Sequence, residues 1–185
     1  MVVHKARPKE REASVTNVIT YDNRFNANEW FVILGLCAGI IALFVLPRRF
    51  PNRLSVLYFM CGVTFGAFFD LTLGEIPVSF YNVGDTSNYE TFDFLSIVMY
   101  GPYSYVFFYV YDFLKLNQKI NSKFIPLYIF IWTLLSLGIE WCGVQLGVFH
   151  YHHGYGIQVS FVIYLLVHSA WVLFFHLVKP ETTQY

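Results

Sequence analysis

Asp70, Glu140 and His168 are ionisable residues that lie within long apolar runs of the sequence. A charged side chain at the centre of a membrane helix costs about 2.5–3.5 kcal/mol on insertion scales. Such residues therefore tend to face the interior of a bundle, where they hold a ligand, an ion or a proton. These three side chains are the candidates for a chemical site.

Small residues accompany the two carboxylates at a spacing that is typical of helix packing. In the second apolar run, Asp70 continues a row of glycines that recur every four residues, and Glu140 lies among small residues in the fourth run. Residues at this spacing share one helix face and allow close approach. We expect these faces to bring the second and fourth runs together, or to bind another membrane protein or a second copy of the chain. The glycines are Gly35, Gly39, Gly62, Gly66, Gly74, Gly143 and Gly147.

Further polar residues are predicted to lie at the same depth in the membrane as the two carboxylates. At 1.5 Å per residue, Asp70 and Glu140 each lie roughly 5 Å below the same end of their runs. Three tyrosines and one histidine on neighbouring runs fall near that level: Tyr100, Tyr103, Tyr164 and His168. The sequence predicts one polar layer, which is either a ligand, ion or proton site or a set of interhelical hydrogen bonds.

A histidine-rich segment lies between the last two runs. His150, His152 and His153 stand within seven residues that also contain two tyrosines and two glycines. Imidazoles can bind zinc or copper, although this spacing matches no zinc signature and no cysteine assists. A pH-sensing segment and a plain aromatic loop at the membrane surface are the alternatives.

The elements that must position these residues are membrane helices. Of 185 residues, 56% are hydrophobic and only 13% are charged, about half the charged fraction of a soluble domain. Runs of about twenty apolar residues predict an all-α, polytopic transmembrane helical bundle of about five spans. We expect a polar tail over 1–29, a single transmembrane domain over 30–179 and a short tail over 180–185. The predicted spans are 30–46, 54–73, 95–114, 124–144 and 157–178.

Positive charges alternate between the short loops and predict an orientation. Arg48, Arg49 and Arg53 lie between the first two spans, and Lys115, Lys119 and Lys123 between the third and fourth, with Lys179 after the fifth. The other two loops contain no Lys or Arg. By the positive-inside rule, the N-terminus lies outside and the C-terminus in the cytoplasm.

No motif of an established enzyme class occurs in the sequence. A nucleophile elbow, a metalloprotease helix, a P-loop and a dinucleotide fingerprint are all missing. We expect no cofactor and no nucleic-acid partner. The favoured function is a non-enzymatic binding or accessory subunit with a polar pocket in the outer leaflet. The alternative is a small transporter, a proton-coupled protein or a membrane enzyme that uses Asp70, Glu140 and His168.

Short motifs in a fixed order resemble those of a known family over residues 30–179. They are Arg48-Arg49-Phe50-Pro51, Phe65-Gly66-Ala67-Phe68-Phe69-Asp70, Tyr100-Gly101-Pro102, Glu140-Trp141 and Gly147-Val148-Phe149. The resemblance is to a family of small polytopic membrane proteins of spore-forming Gram-positive bacteria, whose activity is uncharacterised. It implies a bacterial inner membrane and no particular chemistry.

Overall fold

The computed structural model describes residues 25–75, 78–84, 91–116 and 123–178. Five α-helices and two short strands occupy these ranges. The helices are α1 (Ala27–Val45), α2 (Asn52–Phe69), α3 (Thr91–Phe113), α4 (Phe124–Gln145) and α5 (Ile157–Val178). A π-helical segment, Asp70–Glu75, continues α2, and the strands are β1 (Tyr81–Val83) and β2 (Phe149–Tyr151).

Four of the helices in the described part of the chain are long and apolar enough to cross a membrane: α1, α2 with its π-helical continuation as far as Gly74, α4 and α5. Large apolar side chains cover their outer faces, among them Phe44, Leu57, Ile131 and Leu166. Such surfaces are stable in lipid and not in water. The chain is therefore an integral, multi-pass membrane protein in contact with the bilayer.

The five apolar runs expected from the sequence each coincide with one helix, and the ends agree to within four residues. The all-α prediction is confirmed at that level. The third run is also a helix, but α3 is rich in tyrosine and falls outside the apolar group. Whether α3 crosses the membrane stays a prediction.

Helix α1 begins three residues before the predicted span. Asn26 caps it, because its side chain accepts a hydrogen bond from the backbone N–H of Asn28 at 3.1 Å. In turn, the backbone N–H of Asn26 donates to the Glu29 carboxylate at 2.8 Å. This reciprocal capping box satisfies N–H groups that a helix start leaves without partners. Most of the predicted tails lies outside the described residues, as do Lys119 and Lys179.

Helix α3 is the centre of the packing, and the glycine faces of α1 and α2 both contact it. A Cβ atom at any of four glycines would lie 2.6 Å or less from an atom of α3. At Gly62 that atom is a backbone oxygen, so the close approach requires glycine there, whereas at Gly35 it is the flexible end of Met99. The contacts are Gly35 with Met99, Gly39 with Pro102, Gly62 with Tyr100 and Ser104, and Gly66 with Tyr100. The expectation that these faces join the second and fourth spans was wrong. Binding of another membrane protein or of a second copy of the chain stays a prediction.

The glycines of α4 serve other purposes. A Cβ atom on Gly138 would meet nothing within 4 Å, and one on Gly143 would meet the ring of Phe149 in β2. Helix α4 instead packs against α5, and large aromatic side chains separate it from α3. Spacing identified the faces with small residues correctly but could not identify the elements that they contact.

One end of the bundle, here called the arginine end, is filled by aromatic side chains. Arg49 bonds Asp112 there, with 2.6 Å between Nε and Oδ2, and thereby ties the α1–α2 loop to the last turn of α3. Tyr128 donates to the carbonyl of Phe107 at 2.6 Å and joins α4 to α3. The cluster spans α2 to α5 and includes Tyr58, Tyr105, Phe107, Phe108, Tyr111, Tyr128, Trp132, Trp171 and Phe175.

The opposite end, here called the strand end, is covered by the two strands. β1 and β2 pair antiparallel, with Tyr81 opposite Tyr151 and Val83 opposite Phe149. β1 follows α2 and β2 follows α4, so this small sheet connects the two halves of the chain. The sequence predicted only loops here.

Candidate functional site

A cavity of about 980 Å³ lies between the helices, toward the strand end. All five helices and both strands contribute to its wall, which is largely apolar. Asp70, Glu140, Tyr100, Tyr103, Tyr164 and His168 all line it. The six residues of the predicted ligand, ion or proton site therefore share one cavity, and their role stays a prediction.

Glu140 is the most informative residue of this wall. It lies on α4 with only 6% of its surface exposed. One carboxylate oxygen, Oε1, accepts hydrogen bonds from the Tyr151 hydroxyl and, at 2.6 Å, from the Ser160 hydroxyl. The other oxygen, Oε2, is buried and accepts none from any residue that the structure describes. A buried carboxylate oxygen without a donor is costly, so this oxygen is an acceptor that a water molecule or a ligand in the cavity can use.

A helix-terminal turn places Tyr151 against Glu140. Gly147 has φ +79°, the left-handed conformation that favours glycine, directly after α4. The Gly147 N–H donates to Val144 O at 3.2 Å and the Val148 N–H to Gly143 O at 2.8 Å. This pair of bonds is a Schellman motif. It reverses the chain, so that β2 runs back past the end of α4.

Five tyrosines surround the Glu140 carboxylate closely enough to interact with it electrostatically: Tyr81, Tyr100, Tyr151, Tyr155 and Tyr164. The rings of Tyr151 and Tyr155 lie 5.3 Å apart, and those of Tyr81 and Tyr155 lie 5.6 Å apart. Burial, and then the hydrogen bond to Glu140, raises the pKa of Tyr151. Burial also raises the pKa of Tyr81. These phenols therefore remain neutral hydrogen-bond donors at physiological pH.

Asp70 lies at the first residue of the π-helical segment and also lines the cavity. Tyr81 and Tyr100 interact electrostatically with both Asp70 and Glu140. The two carboxylates thus share neighbouring tyrosines, the arrangement expected for a common site. π-Helical turns are frequent at functional sites, and the α-helical spacing rules used for the sequence could not reveal this one.

His168 is buried on the side of the cavity nearer the arginine end, and both of its nitrogens have partners. Nδ1 lies 3.2 Å from Thr133 Oγ1, and Nε2 lies 3.5 Å from Ser136 Oγ. The Ser136 hydroxyl is also 2.7 Å from the Tyr103 hydroxyl. The imidazole stacks on Phe107, with ring centroids 5.3 Å apart. His168 and Tyr103 therefore belong to a satisfied polar network that links α3, α4 and α5.

The three loop histidines make different contacts. The His153 side chain places Nδ1 2.9 Å from Ser79 O, and the backbone N–H of His152 donates to Phe80 O at 2.7 Å. The backbone of His150 lies opposite Asn82 in the sheet. Among the residues that the structure describes, no three His, Cys, Asp or Glu side chains are grouped as a metal ion would require. Metal binding by this segment stays a prediction.

Three tyrosines of the wall were outside the site predicted from the sequence: Tyr81, Tyr151 and Tyr155. Each lies in a segment that was interpreted as a loop. The available signal was Gly147, whose position after a long helix indicates a chain reversal that would return Tyr151 to the helix end.

No protein-family model, no curated protein and no solved structure matches this chain. The resemblance to the family from spore-forming bacteria accordingly stays a prediction. The fold itself defines the class, an integral membrane protein whose helices enclose a largely apolar cavity with acidic groups in its wall.

Proposed function

We propose that this chain is a non-enzymatic binding protein of the bacterial inner membrane, which holds an amphiphilic ligand in the cavity. The apolar part of the ligand lies along the apolar wall, and its polar end lies at Glu140. The observation that carries the proposal is the buried Glu140 Oε2, which has no donor among the described residues although its partner oxygen has two. An open acceptor on a residue of the cavity wall is suited to a ligand that donates a hydrogen bond.

The route of the ligand is from the bilayer, between α1 and α4. Trp30 and Leu34 on α1, and Leu135 and Ile139 on α4, line the cavity and are also exposed on the surface of the bundle. Residues that belong to both surfaces are expected where a cavity meets lipid. A ligand with an apolar chain can move along such a wall without leaving hydrocarbon.

The proposal includes five spans, with the N-terminus outside. Helix α3 has 23 residues, about 34 Å at 1.5 Å per residue, which suffices for a hydrocarbon core of about 30 Å. Its tyrosines face other helices and the cavity rather than lipid. The contact between Arg49 and Asp112 is consistent with the basic loops lying at one end, and the positive-inside rule makes that end cytoplasmic. The cavity then belongs to the outer leaflet.

Tryptophan quenching tests binding. Trp132 and Trp171 line the cavity, so a brominated alkyl amphiphile bound there should quench their fluorescence. We expect saturable quenching that the unbrominated amphiphile reverses. Ile139→Phe should weaken it by narrowing the entrance. Ile131→Phe is the matched control, since Ile131 is an exposed residue of the same helix outside the cavity wall.

Quenching that rises linearly with the probe concentration, equally in both variants, would mean mere partitioning into the micelle and would refute the binding proposal.

Orientation is tested by a cysteine reporter at position 52 in a variant whose three native cysteines are replaced by alanine. If a label applied outside intact cells reacted at position 52 and not at position 158 near the strand end, the topology would be the opposite of the one proposed.

A proton-coupled transporter is the second candidate, because one cavity reaches both carboxylates. Amides keep the shape of these side chains but cannot carry charge or exchange a proton. If the protein is proton-coupled, Asp70→Asn and Glu140→Gln should each reduce proton flux into liposomes, with the larger loss for Glu140→Gln. The binding proposal predicts no flux in the wild-type protein.

A further inference from the structure

We infer that the polar end of the ligand is an ammonium group, so that the ligand is a cationic amphiphile. This inference rests on the proposed function and adds the chemical class of the head group. Three features of the wall lead to it: the charges that line the cavity, the open oxygen of Glu140, and the rings around that oxygen.

The charges come first. Asp70 and Glu140 line the cavity, and none of the described residues in its wall is Lys or Arg. His168 is the one histidine of that wall, and its two nitrogens already face Thr133 and Ser136. A buried carboxylate is stable only when it is paired or takes up a proton. A cationic ligand would supply Glu140 with a pairing charge that the described residues of the wall do not.

The open oxygen of Glu140 indicates that the head group of the ligand is a hydrogen-bond donor. Tyr151 and Ser160 both donate to Oε1, whereas Oε2, on a side chain that is 6% exposed, has no donor at hydrogen-bond geometry among the described residues. Tyr164, like Tyr151, is a phenol that interacts with the carboxylate. An alkylammonium carries three N–H donors and no acceptor, so it fits an acceptor-only site. A phosphate or carboxylate head group would be repelled by Glu140 and Asp70 together.

The rings complete the site. The five tyrosines around Glu140 present aromatic rings as well as hydroxyls, and an ammonium within about 6 Å of such a ring is attracted by the negative face of the ring. A cage that combines rings with one carboxylate is a recurrent arrangement for organic cations. It also suits the remainder of the cavity, whose apolar wall would hold an alkyl chain.

The test compares matched probes on the full chain in detergent micelles. Brominated dodecylamine, dodecanol and dodecyl sulfate share one chain and differ in head group, and tryptophan quenching reports each of them. We expect the amine to bind at least about tenfold more tightly than the alcohol, because a charge-assisted hydrogen bond is stronger than one between neutral groups; tenfold corresponds to about 1.4 kcal/mol. The sulfate should not show saturable quenching. Butylamine, which lacks the long chain, should compete weakly and thereby distinguish an amphiphile from a free amine.

Variants locate the effect. Glu140→Gln should reduce the preference for the amine to within about twofold of the alcohol, while the affinity for the alcohol changes little. Asp112→Asn is the matched control, an acid-to-amide change at the arginine end and outside the cavity wall. If Glu140→Gln fails to fold, Tyr155→Phe and Tyr155→Leu replace it. Phe keeps the ring and should keep the preference, whereas Leu should weaken it.

The outcomes separate the two claims. Saturable binding of the alcohol as tight as that of the amine overturns the ammonium assignment and leaves the binding proposal standing. Saturable binding of the sulfate does the same. Absence of saturable quenching by every probe overturns both claims. An amine preference that Glu140→Gln and Asp112→Asn leave equally intact would place the cation elsewhere and overturn the assignment to Glu140.

Discussion

Gly62→Ala should destabilise the bundle more than its single methyl group suggests. A Cβ atom at this position would lie 2.1 Å from the Tyr100 carbonyl oxygen and 2.4 Å from Ser104 Oγ. Carbon–oxygen contacts between packed helices are normally about 3.3 Å or longer. Helices α2 and α3 must therefore separate by about 1.2 Å here, the difference between 3.3 and 2.1 Å. The carbonyl belongs to the backbone, so it cannot rotate out of the way.

The size of the loss follows from two effects. Overpacking of this kind typically costs about 1–3 kcal/mol. Separation also weakens the bond from the Gly62 N–H to Ser104 Oγ, 3.1 Å, and that from Ser104 Oγ to Tyr58 O, 2.7 Å. Interhelical hydrogen bonds contribute about 0.6 kcal/mol on average. Together we expect the free energy of unfolding to fall by about 2–4 kcal/mol.

Reversible unfolding by sodium dodecyl sulfate in mixed micelles measures this loss. Gly138→Ala is the matched control, because a Cβ atom there meets nothing within 4 Å. Alanine favours a helix over glycine by about 0.8–1 kcal/mol, so this control should be neutral or slightly stabilising. Equal unfolding free energies for the two variants would refute the packing of α2 on α3 through Gly62.

Three further changes test other contacts. Tyr151→Phe removes a donor from the buried Glu140 carboxylate and should lower the free energy of unfolding by about 1.5–3 kcal/mol. An unchanged free energy of unfolding would contradict the hydrogen bond between Tyr151 and Glu140. Burial, and then the charges of the neighbouring histidines, lowers the pKa of His152 below 6.5 in the folded protein. Just below pH 6.5 the unfolded chain therefore binds more protons at His152 than the folded chain does. The free energy of unfolding should accordingly fall as the pH drops below about 6.5. Thermal unfolding at several pH values should show this slope, and a slope that His152→Asn leaves intact would assign it to another group. Asn26→Ala removes the cap of α1 and should cost about 1 kcal/mol, measurable by the same detergent titration, and no loss would contradict the capping box.

The helices could be predicted from the sequence because a membrane imposes a length on each apolar run. Asp70 and Glu140 were predicted to share a layer from their depth alone, and both line the same cavity. What could not be predicted was which elements touch. Gly62 and Gly66 identify a face suited to close packing, but their spacing is equally compatible with any neighbouring helix, and the partner proved to be α3.

The wall of the site was also only partly predictable. The strands have three residues each, too few for an alternating pattern to stand out from an aromatic loop. Tyr81 and Tyr151 reach the cavity through a pairing that spans 70 positions of the chain (151 − 81), and local propensity contains no information about such a contact. The open oxygen of Glu140 likewise depends on which donors the final fold brings near.

The arrangement of the glycine contacts has a consequence for biosynthesis. Every contact from Gly35, Gly39, Gly62 and Gly66 is made to α3, so the first three helices can pack together as soon as they have entered the membrane, before α4 and α5 have joined them. Helix α4 then enters the bilayer before α5 and before β2 has paired with β1, so Glu140 arrives ahead of Ser160 and of the strand that holds Tyr151. For that interval its carboxylate lacks both donors that it has in the finished protein. Insertion of α4 is therefore the step of assembly most exposed to failure, and release of the last helix completes the site.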